Sequence, residues 1–422
     1  MTEQSETRYG WVMVGVVFTL TALSFGAATS ISVFLKPLTE EFGWTRSETS
    51  LAYTTVALAS ASFGVIWGYV ADRFGTRFFG YVAALMMSLC LYLLSEQTSL
   101  WQFYLFYFIF GAFGNAMVSS PLFANVGFWF KSNPGLALGV TASGGAVGQG
   151  ILPFLAGLAI EKYGWQQAYE LMAVGYLALS LPLAFMIREP ASREAARALR
   201  NSRNKGEQKG WEDIDNDLKD QRKLPLSEIE VVAWISCAAI FCCNCMSVPI
   251  VHLVPLLMDS GREPQVAASV LLVLMLTGGI GRIAGGKLCD MIGALPGYMV
   301  MSIGQTFFVF WFPLTENLAA LYLLAVFFGF TYSGVMSAIL VCNRTMVSAG
   351  FAARAMSITS FFGWTGMGMG GFFGGLFFDY FQTYFWSYTF ASVAGIANLF
   401  VLFLFHLRIQ AARQSAGLAP VV

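Results

Sequence analysis

Apolar residues run along this chain in long blocks separated by short polar stretches. A run of about 18 or more apolar residues can cross a bilayer as a helix. Twelve runs qualify, near 11–35, 49–71, 78–95, 100–123, 134–160, 167–187, 229–257, 266–287, 294–314, 318–342, 354–377 and 384–407. Helices are expected because hydrocarbon offers no outside partner for backbone N–H and C=O groups. A barrel would instead show alternating segments of about ten residues. The first run is longer than the roughly 7–15 apolar residues of a signal peptide, and no clear small-residue cleavage site follows it. It is therefore taken as the first helix. The fold class expected is an all-α membrane protein.

Composition sharpens this picture. Charged residues make up 11% of the chain and hydrophobic ones 57%. Soluble domains carry roughly 25% charge, so this chain has too little to cover a water-facing surface. Its formal net charge is zero, which implies no nucleic-acid partner. Cys242, Cys243 and Cys245 cluster without a second Cys or His group at zinc spacing, so they are taken as packing residues. Neither a metal nor a cofactor is expected. The stretch 144–150 is Gly-rich but lies inside an apolar run, and no Lys-Ser or Lys-Thr follows it. With no nucleotide loop and no catalytic constellation, the chain is not expected to be an enzyme. No obligatory protein partner is expected either.

Charge alternates from loop to loop. Arg73, Arg77, Lys131, Arg344, Arg354, Arg408 and Arg413 fall on one side, together with ten basic residues between 188 and 223. The opposite loops hold Lys36, Arg46, Lys162 and Arg262 beside Glu40, Glu41, Glu48, Glu96, Asp259, Glu263 and Glu316. The positive-inside rule then puts both termini and the 188–228 segment in the cytoplasm. That segment is expected to be a solvated linker between residues 1–187 and 229–422.

The chain repeats itself at an offset of 218 residues. Pro37-Leu38 meets Pro255-Leu256, and Gly68-x-x-x-Asp72-x-x-Gly75 meets Gly286-x-x-x-Asp290-x-x-Gly293. Phe110-Gly111 meets Phe328-Gly329, and Gly145, Gly148 and Gly150 meet Gly363, Gly366 and Gly368. Gly supplies 43 of 422 residues, so about two Gly–Gly coincidences are expected at a fixed offset. Eight occur, which indicates two six-helix units in parallel duplication. Transporters built from such repeats place their site between them, near the midplane.

The stretch from Gly68 to Arg77, GYVADRFGTR, resembles the signature loop of the major facilitator superfamily. The resemblance implies a gate loop built from Gly68, Asp72, Arg73, Gly75 and Arg77, with Asp290 in the second copy. Tyr9-Gly10-Trp11, Ser30-Ile-Ser-Val-Phe34, Phe128-Trp-Phe-Lys131 and Gly135-Leu-Ala-Leu-Gly139 look like signatures of its monocarboxylate transporter family. The likeness covers the chain outside 188–228. It implies a proton-coupled symporter of lactate- or pyruvate-type acids in the cell membrane, with Arg282 binding the carboxylate. Thr29 stands where many animal members carry lysine, and Gly278 where they carry an acid. The similar oxalate–formate exchangers add a lysine in helix eleven, and 354–377 contains none. A proton-independent anion exchanger and a transporter-like sensor are the alternative classes.

Arg282 lies in Leu274–Asp290, a run otherwise almost wholly apolar or tiny. A charge there is costly unless it is paired or faces a water-filled cavity. Its planar fork fits a carboxylate with two parallel bonds, which lysine cannot reproduce. The further substrate-binding candidates are Tyr332, Thr29, Ser119 and Phe361. His252, whose side chain can titrate near neutral pH, is the proton-coupling candidate. The partners expected are thus a small organic acid, protons and the lipid bilayer.

Overall fold

Local signals start and stop the helices close to the ends of the apolar runs. Thr45 and Glu48 form a reciprocal capping box at the start of α2 (Arg46–Phe74). Ser227 caps α7 (Glu228–Asp259), and Asn317 accepts from two free amides at the start of α10 (Leu318–Thr345). Pro264 opens α8 (Pro264–Ile292), where its missing N–H costs nothing. The remaining helices are α1 (Glu3–Phe42), α3 (Arg77–Ser95), α5 (Pro134–Tyr163), α6 (Trp165–Phe185), α9 (Ala294–Val309), α11 (Ala352–Phe381) and α12 (Phe385–Ser415). The protein is seen here as a computed structural model that describes residues 3–130, 134–190, 224–347 and 352–415. Most of the 188–228 segment and Lys131 lie outside the described residues.

α4 departs from a plain helix. It begins as Leu100–Ile109, widens into π-helix at Phe110–Asn115 and Val118–Leu122, and closes as α-helix at Phe123–Phe128. Pro121 has no N–H to give the preceding turn, and π-type widening recurs where a ladder is interrupted. Asn115 sits between the widened stretches. Its side chain accepts from Ser24 of α1 at 2.7 Å and donates to Ser60 of α2 at 2.9 Å.

Among the described residues ten helices are long and apolar enough to cross a membrane. The runs at 100–123 and 354–377 are helical but not among the ten. The first is broken by its π-helical stretches, and the second is diluted by Gly, Ser and Thr. No strand occurs among the described residues.

The repeat seen in sequence is also a repeat of contacts. α1 packs on α5, α2 on α4 and α3 on α6; correspondingly α7 packs on α11, α8 on α10 and α9 on α12. Two of the matched glycine pairs sit at these crossings. A Cβ on Gly148 would lie 1.9 Å from the Ala22 carbonyl oxygen, and one on Gly366 2.3 Å from that of Ile240. A Cβ on Gly111 would lie 2.8 Å from the Val56 oxygen, and one on Gly329 2.1 Å from that of Leu274. Small residues let backbones touch where lipid supplies no hydrophobic drive for association. The two groups, α1–α6 and α7–α12, meet chiefly through α2 with α11 and α5 with α8.

Candidate functional site

α8 presents two different faces. Gly278, Gly281 and Gly285 face α10, where added Cβ atoms would lie 2.6 Å from Ser333 Oγ, 2.0 Å from the Phe330 oxygen and 2.5 Å from Gly334 Cα. Arg282 points to the other group of helices. Its Nη1 donates to the Ala142 carbonyl oxygen of α5 at 3.0 Å, whereas its buried Nε has no partner among the described residues. Among the described residues no carboxylate pairs with it. Arg282 lies ten residues before the end of α8, a rise of about 15 Å. It is therefore a half-buried guanidinium inside a membrane helix, held by one neutral carbonyl, with donors to spare.

Tyr332 of α10 lies within electrostatic reach of the guanidinium, and its hydroxyl points to Met275 Sδ at 3.1 Å. Ser333 Oγ is buried without a partner among the described residues. On α5, one turn from Ala142, Gly145 lies under the Phe25 ring of α1, 3.7 Å from the place of a Cβ. Phe25 in turn meets Trp364 of α11 at 5.7 Å between centroids, joining the two groups of helices.

The other sequence candidates are scattered. Thr29 is buried on α1, one turn beyond Phe25, and its hydroxyl has no partner among the described residues. Ser119 is half-buried in the second π-helical stretch. Phe361 is 40% exposed and leans on Phe362. His252 is fully buried between α7 and α11. Its Nε2 is 2.7 Å from the Gly371 carbonyl oxygen, and Nδ1 has no partner among the described residues. Its ring bonds to Gly371 and packs beside Tyr384, 5.5 Å between centroids, rather than joining the Arg282 cluster. Among the gate-loop residues, Gly75 takes φ +92° and its counterpart Gly293 φ +97°, a region that favours glycine. Arg77 and Asp290 are exposed, and the side chains of Asp72 and Arg73 lie outside the described residues. Glu189 closes the loop by accepting from Thr76 N at 2.5 Å and Thr76 Oγ1 at 2.8 Å.

The sequence reading missed a second constellation. Lys36, Arg46 and Asp259, used there only to orient the chain, meet Asp379 and Tyr384 where α2 begins and α7 and α11 end. Arg46 reaches both Asp259 oxygens, at 3.1 and 3.0 Å, and the Tyr384 hydroxyl at 3.3 Å. Lys36 lies 3.3 Å from Asp259. The amides of Arg46 and Ser47 donate to the two oxygens of Asp379, at 2.8 and 2.7 Å. No local pattern signals these pairs, because the partners stand more than 200 residues apart.

The family model of the Major Facilitator Superfamily matches residues 17–363. The chain is 26% identical to Monocarboxylate transporter 13 of Rattus norvegicus over 342 residues, which is 80% of this chain and 74% of that protein. It is 30% identical over 167 residues to the riboflavin transporter RibJ of Trypanosoma brucei brucei, which is 38% of this chain and only 30% of that protein's length. In fold it resembles the D-xylose-proton symporter, with a TM-score of 0.73, 16% identity, and 93% of this chain and 97% of that one covered.

Proposed function

This chain belongs to the Major Facilitator Superfamily, and from that premise we propose that it is a secondary active transporter of small organic monocarboxylates, driven by protons. One observation carries the substrate class: Arg282 is a membrane-embedded cation with unused donors and no acidic partner among the described residues. A buried charge without a partner is strongly destabilising, and an organic carboxylate supplies the missing one. A bidentate bond to Nε and Nη2 would leave the Ala142 contact of Nη1 in place. The organic body would rest on the Phe25–Trp364 wall.

The transport cycle proposed is rocking of residues 1–187 against 229–422 about this site, across twelve spans. In this cycle the gate loops and both termini face the cytoplasm, and the linker 188–228 permits the motion. The cross-group bonds at the opposite end then correspond to a state closed to the outside. One proton per monoacid makes the loaded carrier neutral at the site and cheaper to reorient through hydrocarbon. Gly278 supplies no acid here, and its Cβ position lies tight against α10, 2.6 Å from Ser333 Oγ. The proton therefore belongs either to the carboxylate–Arg282 contact or to His252. Replacing His252 with Gln separates the two. Loss of gradient stimulation with retained counterflow assigns the proton to His252, and retention of both assigns it to the Arg282 site.

The test of the function uses purified protein in liposomes, with labelled L-lactate taken up with and without an inward proton gradient. Gradient-driven uptake in the wild type that is lost in folded Arg282→Lys is the expected result. Equal uptake by the two proteins overturns the role of Arg282. Counterflow indifferent to pH favours exchange over symport. Riboflavin belongs in the competitor panel, since the RibJ likeness favours a larger, ringed substrate as the second reading.

A further inference from the structure

Arg46 is held by groups of the opposite half on several sides. Its guanidinium takes both oxygens of Asp259, touches the Tyr384 hydroxyl, and lies 4.9 Å over the Phe378 ring. Its amide and that of Ser47 go to Asp379. The capping box of α2 already serves the amides of Thr45 and Glu48. The amides of Arg46 and Ser47 are thus helix-start donors without a partner inside α2, and Asp379 of α11 supplies it from across the interface. Two carboxylates of α7 and α11 therefore clamp the end of α1 and the start of α2.

Below the clamp the same interface is smooth. Gly368, Gly371 and Gly375 of α11 face Thr54, Tyr53 and Ser50 of α2 in successive turns. The bond described along this stretch is that of the Thr54 hydroxyl to the Gly368 oxygen, at 2.6 Å. A glycine face interlocks with nothing and can part without rotamer changes. The clamp, in contrast, is directional, and it stays partly wet: the side chains of Arg46 and Asp259 are 10% and 26% exposed. Water can take over its bonds as the surfaces separate.

We propose that Asp259 and Asp379, acting on Lys36, Arg46 and the first amides of α2, form a releasable latch that holds the two halves shut at this end and sets how often the central site opens there. The latch rests on the alternating-access reading above but on no particular substrate. Glu40 stands at its rim, 3.9 Å from Lys36, and takes no part in the cross-half bonds.

Ser50 is a built-in reporter position. It is fully buried, and its Oγ lies 2.6 Å from the Cβ position of Gly375, one turn below the latch. The experiment places Ser50→Cys in the full chain in sealed vesicles and adds a membrane-impermeant maleimide on the latch side. The same chain without Ser50→Cys gives the background from native cysteines. Asp379→Asn or Asp259→Asn should raise the Ser50→Cys labelling rate about tenfold or more, the scale of one charge-assisted hydrogen bond. Glu40→Gln should leave the rate unchanged. The swap Arg46→Asp with Asp259→Arg, made together with Lys36→Gln so that no like charge faces the new arginine, should bring it back toward the parent. Equal rates in the parent and both Asn variants overturn the latch. So does a matching rise at the buried native cysteines, which marks general loosening. Because labelling needs no substrate, a chain that transports no tested acid yet unlatches shows the function proposal failing alone.

Discussion

Gly281→Ala tests whether the placement of Arg282 depends on the contact between α8 and α10. The added Cβ would sit 2.0 Å from the Phe330 carbonyl oxygen and 2.7 Å from its carbonyl carbon. Ordinary contact needs roughly 3.2 Å, so the helices must part by about 1 Å or bend. The neighbour is backbone and cannot swing aside. Overpacking of this kind costs about 1–3 kcal/mol, which lowers the apparent melting temperature by a few degrees. Function should suffer more. A displacement of about 1 Å at a positioned group can cost on the order of 100-fold, and Arg282 is the next residue. Gly279 supplies the control in the same turn, because a Cβ there meets nothing within 4 Å. The assay is melting in detergent together with initial uptake rate in liposomes, for both alanine variants. Gly279→Ala should match the wild type in both, and Gly281→Ala should lose most of its uptake. If the two variants behave alike, the close contact does not position Arg282.

Gly278→Asp should impair folding or uptake, because its Cβ would lie 2.6 Å from Ser333 Oγ. Adding Ser333→Gly should recover yield, read by size-exclusion elution. Asn115→Ala leaves the buried Ser24 hydroxyl without its acceptor, while Ser60 still donates to the Gly111 oxygen, and should cost about 1–3 kcal/mol of stability. The KM of the surviving protein should stay within about twofold of the wild type, because the network lies within helices α1, α2 and α4 and touches nothing at Arg282. Arg282→Gln should bind the carboxylate more weakly than Arg282→Lys, since lysine keeps the charge although it loses the fork; competition binding checks the order.

Much of this protein was legible along the chain. Hydropathy decides which segments enter a bilayer, because each span satisfies its own backbone. The runs accordingly match helices, including the two that fall outside the ten clear membrane candidates. The offset of 218 residues foretold equivalent crossings, and Gly148 on Ala22 returns as Gly366 on Ile240. The cost of an arginine among glycines is likewise local, so Arg282 stood out before any partner was known. Other features needed three dimensions. That Arg282 meets a carbonyl of α5, that His252 is tied to α11, that Phe25 finds Trp364, and that Asp379 caps α2 are facts about residues far apart in sequence. Even the π-helical course of α4 has Asn115 pinned by two other helices. Composition and periodicity report how each segment sits against lipid. Which polar groups meet inside the bundle is set by helix packing, which the order of residues along any one helix does not encode.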